Sequence, residues 1–418
     1  MFENVKRFGL GHCDLPTMLW NVTVTLKLLA VNIDRNCRRV PIVCYVFAGY
    51  IGCSYFYVYG VSNTWFVLWR CRETGELITA TIFFSLQVAS EIGLAKLLFM
   101  FYHKNKILDI IDQYITCDQT IKPRTKMSNT LIKYLRSVKK RALIFWFIII
   151  GNGIGYITKP LMLPGKHFIE DNQVFLGLEP LYESPYYEIA YILTAGGIAF
   201  TCYSPANITA FYIVLSGYTE AQLLALSEGL MSLWGDAQQY CNNRRSKKIE
   251  VNKYVRVYKL ENDKIKNEII NDFVKKRLNK IINYHVININ LIRQIEEVSK
   301  GCIAVEFGLL MAALVAELLG GLENTYMELP FSLLLVSMDC LMGQKLIDAS
   351  ETFTGAVYGC GWENFDVNNM KTILTLLINS QKSLTLSAGG IRVLNFMCLG
   401  SVIKSIFSAF TTLRSVLM

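Results

Sequence analysis

The sequence predicts an all-α membrane protein: seven transmembrane helices with a cytoplasmic N-terminus, an extracellular C-terminus and a helical cytoplasmic anchor layer. Two charge-free runs and the placement of the basic residues carry this reading. Residues 40–69 hold no charged side chain over 30 positions, and residues 189–219 none over 31; about 20 apolar residues suffice to cross a bilayer. Of the 42 Lys and Arg, 34 fall in four alternate segments and only 4 in the three segments between them. The composition agrees, since 18% of the 418 residues are charged where soluble proteins carry about 25%.

Taken in order, the opening "MFENVKRFGLGHCDLP" lacks the apolar centre of a cleaved secretory peptide. Residues 1–39 are expected to be a cytoplasmic segment. The clear spans are about 40–61, 77–101, 142–158 and 187–217, and weaker ones about 301–320, 329–346 and 386–417. The weaker spans carry Glu306, Asp339, Lys345, Arg392 and Lys404. Each such group costs about 2.5–3.5 kcal/mol at a bilayer centre even on the lenient scale, so they are expected to face protein or water.

Residues 1–39 hold six Lys and Arg, 102–141 ten, 220–300 fifteen and 345–391 three. Segments 62–76, 159–188 and 317–328 hold two, two and none. Arg35, Arg38 and Arg39 abut the first span, and Lys139, Lys140 and Arg141 the third. Basic residues at span ends mark the cytoplasmic side. Of twelve cysteines only Cys71 falls in an outer segment, so no outer disulfide is expected. The sequons at Asn21 and Asn207 fall inside the cell and within a span, so neither is an expected glycan site.

The remaining segments complete the organisation. Residues 218–300 are expected to form a cytoplasmic helical anchor, with Ile265, Ile269, Phe273, Leu278 and Ile282 at helical steps. Near its start, "NNRRSKKIEVNK" reads as a polar, disordered loop. Residues 301–346 hold spans five and six. Residues 347–385 are further anchor, with a short helix that puts Met370, Ile373, Leu374 and Leu377 on one face. Residues 386–418 hold the last span. In "GNGIGY" (151–156), Gly151 and Gly155 lie four apart mid-span, which permits close helix approach.

No catalytic or cofactor chemistry stands out. The four histidines are scattered, and no Cys-x-x-Cys, His-Glu-x-x-His or phosphate loop is present. The sequence points to no enzyme, cofactor, metal or nucleic-acid partner, only to a membrane-lipid environment. Ligand features are softer. Thr79, Ile82, Phe83 and Leu86 of the second span, Asn152 and Tyr156 of the third, Tyr191, Phe200 and Tyr203 of the fourth, and Phe331, Leu334 and Leu335 of the sixth lie toward the outer half. Such a mixture suits a small, mostly apolar ligand. Ordinary helix packing is the competing reading.

The last third carries a family resemblance. "SQKSLTLSAGGIRVLNF" (380–396) followed by "SVIKSIFSAFTTLRS" (401–415) resembles the C-terminal motif of insect odorant receptors, as does "ETFTGAVYGCGW" (351–362). "INYHVININLIRQIEEV" (282–298) resembles the family's helix entering the fifth span, with His285 and Glu296 in place. Ser383 departs from the proline often found after "QK". The resemblance implies an odorant-gated, non-selective cation channel subunit in a tetramer with the family's shared co-receptor. It implies an odorant-tuned subunit in the plasma membrane of olfactory neuron dendrites, binding a small volatile odorant. A G-protein-coupled receptor and a secondary transporter are the alternatives.

Ser401, Ser405, Ser408, Thr412 and Ser415 fall on one narrow stripe at about 100° per residue, with Lys404 about 40° from Ser408. Either they face an ion path or they are small packing residues. With the resemblance, Ser408, Thr412 and Ser415 are expected to line the pore and Val416 to form an outer constriction. A helix from 386 to 417 would be about 48 Å long, more than the hydrocarbon core. The outer segments hold about ten Asp and Glu, including Glu170, Asp171, Glu179, Glu183, Glu317, Glu323 and Glu328. An acidic mouth of this kind concentrates cations.

Overall fold

The computed structural model describes residues 6–35, 39–75, 77–168, 174–251 and 259–417, without the side chains of 72, 74, 245–251, 259–265 and 416–417. α1 (Leu15–Lys27) precedes the first span, and the sequence reading held no helix there. Asp14 caps it, accepting from the Thr17 amide at 3.0 Å and hydroxyl at 2.7 Å. Leu15, Met18, Leu19, Val22 and Leu26 are buried. The Lys139 ammonium secures the segment before it by donating to the carbonyls of Arg7 (2.7 Å), Gly9 (2.8 Å) and His12 (2.6 Å).

The first span is longer than expected. α2 runs Ile42–Arg70, winding as a π-helix over Phe56–Asn63 and Phe66–Arg70. α3 (Leu77–Tyr102) is followed by α4 (Lys104–Gln119), an amphipathic helix burying Ile107, Ile110, Ile111 and Tyr114. α5 (Lys126–Met162) is capped by Thr125. α6 (Tyr186–Met231) is the central post and packs on α1, α2, α3, α5 and α9. Its membrane stretch is 78% buried, against 28% for α5. α7 (Leu233–Val251) is helical through much of the stretch expected to be a disordered loop, and residues 252–258 lie outside the described residues.

α8 (Lys259–Gly320) is one unbroken helix of 62 residues, so the expected anchor and fifth span are a single rod. After a tight turn come α9 (Glu328–Tyr358) and α10 (Val367–Ser380). α10 buries Ile373 and Leu376, with Met370 and Leu377 packed on the core, but Leu374 is 57% exposed. Seven helices of the described residues are long and apolar enough to cross a membrane.

The last helix is shorter than expected. β1 (Ser387–Ala388) and β2 (Arg392–Val393) pair antiparallel, and α11 spans Phe396–Leu417. Gly389 and Gly390 adopt φ of 64° and 75°, a region open to glycine and costly for other residues. Glu296 of α8 clamps this hairpin, accepting from the Ser387 amide at 2.8 Å and from its hydroxyl. The Gly389 amide donates to the Lys300 carbonyl at 2.8 Å. α11 is thus 22 residues, about 33 Å, close to the hydrocarbon thickness.

Close approach in the third span falls on Gly153, where a Cβ would sit 2.9 Å from Cys202 Sγ of α6; around Gly151 the space is open. Gly343 of α9 is packed more tightly still, against the Leu394 backbone that leads into α11. Gly343→Val is therefore expected to destabilise the protein by about 1–3 kcal/mol through overpacking. Gly355→Ala, in open space on the same helix, should stabilise it by about 0.5–1 kcal/mol. Thermal unfolding of the purified protein in detergent separates the two, and equal Tm values would refute the tight contact.

Candidate functional site

The bundle has two ends. The layer end holds α1, α4, α7 and α10; the loop end holds the connection 163–185 and the turn 321–327. Between α2, α3, α5, α6 and α9, toward the loop end, lies a small cavity of about 40 Å³. Its walls are Tyr59, Leu86, Ala89, Asn152, Tyr156, Ile198, Thr201, Cys202, Glu328 and Phe331. Asn152 Nδ2 donates to the Met327 carbonyl at 2.9 Å, fastening α5 to the turn before α9. The Thr201 hydroxyl donates to the Gly197 carbonyl of its own helix at 3.0 Å.

Four of the expected ligand residues meet at this cavity: Leu86, Asn152, Tyr156 and Phe331. The other eight lie elsewhere. Phe83 packs edge-on against Phe66 at 4.8 Å in a separate cluster. Ile82 lies beneath Gly320, and Thr79 is half-buried near the start of α3. Tyr191 lines a smaller cavity and donates to the Ile157 carbonyl at 2.6 Å. Phe200 packs on Tyr55 with ring centres 4.5 Å apart, and Tyr203 donates to the Thr25 carbonyl of α1 at 2.9 Å. Leu335 is fully buried and Leu334 packs on the core.

Glu328 is the wall residue that the sequence reading placed elsewhere. It and Glu317 were expected in an acidic mouth, yet they are 3% and 0% exposed. Glu328 Oε2 accepts from Ser85 at 2.8 Å, and Glu317 Oε1 from Ser332 at 2.7 Å. Glu170 and Asp171 lie outside the described residues.

α11 is the most peripheral span, with 11% of its membrane stretch buried. Cys398 and Ile406 face the bundle. An open trough along the helix is lined by Ser401, Lys404, Ser405, Ser408, Ala409, Thr412 and Leu413. Ser405 donates to the Ser401 carbonyl (2.9 Å), Thr412 to Ser408 (2.9 Å) and Ser415 to Thr412 (2.8 Å). With these hydrogens engaged on the helix, the oxygens remain as acceptors. Ser415 is exposed near the helix end; the Val416 side chain lies outside the described residues.

Between cavity and α11 sits a buried charge cluster. Lys96 Nζ of α3, 3% exposed, lies 2.7 Å from Glu306 Oε1 of α8 and 2.5 Å from Thr209 Oγ1 of α6. Asp339 of α9 borders the same small cavity with Cys302, Ser299 and Leu386. One residue on, Cys340 lies beside Cys398 of α11. Lys96 of the second span, Glu306 of the fifth and Asp339 of the sixth thus meet one another. Lys96→Met would leave two buried carboxylates without their cation and is expected to cost about 3–5 kcal/mol. Lys96→Met with Glu306→Gln and Asp339→Asn should recover part of that loss. Surface expression and detergent Tm report both, and an unchanged Tm for Lys96→Met would refute the pairing.

A multi-pass membrane protein with a small, mainly apolar cavity inside a seven-helix bundle is what these features define. The chain belongs to the 7tm odorant receptor family: the family model described as 7tm Odorant receptor matches residues 73–407. It is 25% identical to Odorant receptor 30a of Drosophila melanogaster over 270 residues, a match spanning 63% of this chain and 63% of that relative. Two structures of the insect olfactory receptor OR5 from Machilis hrabei, one in complex with eugenol, align with TM-score 0.71. They cover 96% of this chain and 98% of theirs at 13% identity, a likeness of fold.

Proposed function

We propose that this chain is an odorant-tuned subunit of an odorant-gated, non-selective cation channel. The observation that carries the reading is α11. A helix this peripheral, with a continuous row of hydroxyl oxygens and an ammonium on an exposed face, is poorly suited to lipid. Water and ions in a shared path between subunits suit it better. Membership of the family supports assembly into a tetramer with the shared co-receptor, α11 of each subunit lining one pore. The basic residues clustered at alternate connections support a cytoplasmic N-terminus and an extracellular C-terminus. The plasma membrane of olfactory dendrites is the matching location.

The cavity at the loop end supports a small volatile ligand, and the OR5 structure with eugenol gives a relative's precedent for one. Opening then requires the odorant to bind the open state more tightly than the closed one. Tyr59, Leu86, Asn152, Tyr156 and Phe331 surround the ligand, while Ser408, Thr412 and Ser415 face the ions.

Cysteine accessibility tests the pore. With the chain and a family co-receptor co-expressed under voltage clamp, Thr412→Cys and Ser415→Cys should be modified by a charged thiol reagent in the open state, reducing the current. Absence of modification despite a normal evoked current would overturn the pore face. An N-terminal tag reached by antibody from outside would point instead to a G-protein-coupled receptor, and small currents proportional to substrate uptake to a transporter.

A further inference from the structure

Two thiols meet where the last helix joins the bundle, and we propose that Cys340 and Cys398 form a reversible disulfide on exposure to peroxide, a latch that holds the foot of α11 on α9. Cys340 lies mid-way along α9 and Cys398 in the first turn of α11. Both are free thiols, 0% and 7% exposed. Gly343 sets their approach. A Cβ there would stand 2.1 Å from the Leu394 carbonyl oxygen and 2.6 Å from the Leu394 Cβ, so the two backbones touch at this level. α9 runs from the loop end toward the layer end, and α11 runs back the other way. One turn from the Gly343–Leu394 contact, three residues back on α9 and four residues on from Leu394, stand Cys340 and Cys398. Residues three or four apart share a helix face, so the two thiols fall opposite each other. Their side chains are within hydrogen-bond reach, and the Cys340 sulfur also meets the Asn395 backbone. The Cys398 amide donates to Asn395 Oδ1 at 2.7 Å, which fixes the first turn of α11. A disulfide needs Cα atoms within about 7 Å, and antiparallel helices in backbone contact one turn away bring them there.

The chemistry balances with a hydroperoxide as oxidant. One thiolate attacks a peroxide oxygen, giving a sulfenic acid and, with hydrogen peroxide, one water. The second sulfur then displaces the sulfenic hydroxyl as another water. Two thiols lose two protons and two electrons, and the peroxide becomes two molecules of water. Burial slows thiolate formation and keeps out bulky reagents such as oxidised glutathione. A small neutral peroxide still enters, and a small dithiol reverses the bond by exchange. The bond has mechanical weight because α11 is otherwise lightly held, with 11% of its membrane stretch buried. Asp339, one residue before Cys340, borders the cavity that holds Lys96 and Glu306. The latch thus fastens the loosest span to one of the firmest. Its effect on current rests on the reading of α11 as the pore helix.

The test uses the full chain co-expressed with a family co-receptor, treated with hydrogen peroxide and then with dithiothreitol. Mass spectrometry of the alkylated and digested complex measures the linked Cys340–Cys398 peptide. Voltage clamp measures the current evoked by a panel of volatile alcohols, esters, ketones and eugenol. The linked fraction should rise with peroxide and not with oxidised glutathione. The current should fall in step with it, and dithiothreitol should reverse both. Cys340→Ala and Cys398→Ala each remove one sulfur, and either should keep the evoked current and lose its sensitivity to peroxide; one of the two reaching the cell surface suffices. No linked peptide at any peroxide concentration, or an equal loss of current in wild type and alanine variant, would overturn the proposal. A linked peptide with unchanged current would overturn the latch. A linked peptide in a chain that passes no current with any probe, before peroxide or after dithiothreitol, would uphold the thiol pair and refute the channel reading.

Discussion

The ammonium of Lys96 ties α3 to α8 and α6 inside the membrane part of this protein. Inside the hydrocarbon region no water compensates a stray charge, so Lys96, Glu306 and Asp339 are tolerable only in one another's company. Meeting that condition fixes α3, α8 and α9 against each other, and Thr209 brings in α6. Of these helices, α3, α6 and α9 also contribute to the cavity walls, and α9 seats the start of α11. Buried ion pairs of this kind add little net stability compared with apolar packing but penalise wrong arrangements heavily. Here the right arrangement aligns Cys340 and Gly343 with the start of α11.

The seven spans were legible because a bilayer demands long charge-free runs, and residues 40–69 and 189–219 display them without any tertiary knowledge. The ends of helices were less legible. The hairpin before α11 depends on Glu296, which lies 91 positions from Ser387, and no local pattern announces that contact. The same limit governs the cavity. Asn152 and Phe331 reach it, but Tyr203 turns to a carbonyl of α1, a helix whose presence was not expected. Glu328 read as a surface acid, since its burial depends on Ser85, 243 positions earlier. Gly153 rather than Gly151 meets α6 because helix register, which spacing alone leaves undetermined, decides which glycine faces the neighbour.

One chemical habit recurs at the cavity and along α11. Hydroxyls on membrane helices donate to carbonyls one turn back in their own helix, as Thr201, Ser405 and Thr412 do. The backbone thereby absorbs the hydrogen, and the surface is left rich in oxygen acceptors. Along α11 it leaves a row of partial negative charge in which Lys404 is the single opposing cation among the trough residues.

The continuity of α8 has a mechanical meaning. From Glu317, buried near the turn at the loop end, to Glu296, which grips the hairpin, runs unbroken helix about 32 Å long at 1.5 Å per residue. A rod has no joint in which to dissipate motion. By simple geometry a 5° tilt about one end sweeps the other through about 3 Å, comparable to two residues of helical rise. α8 thus ties the turn at the loop end rigidly to the hairpin from which the last helix hangs, so a tilt at one would be felt as a displacement at the other.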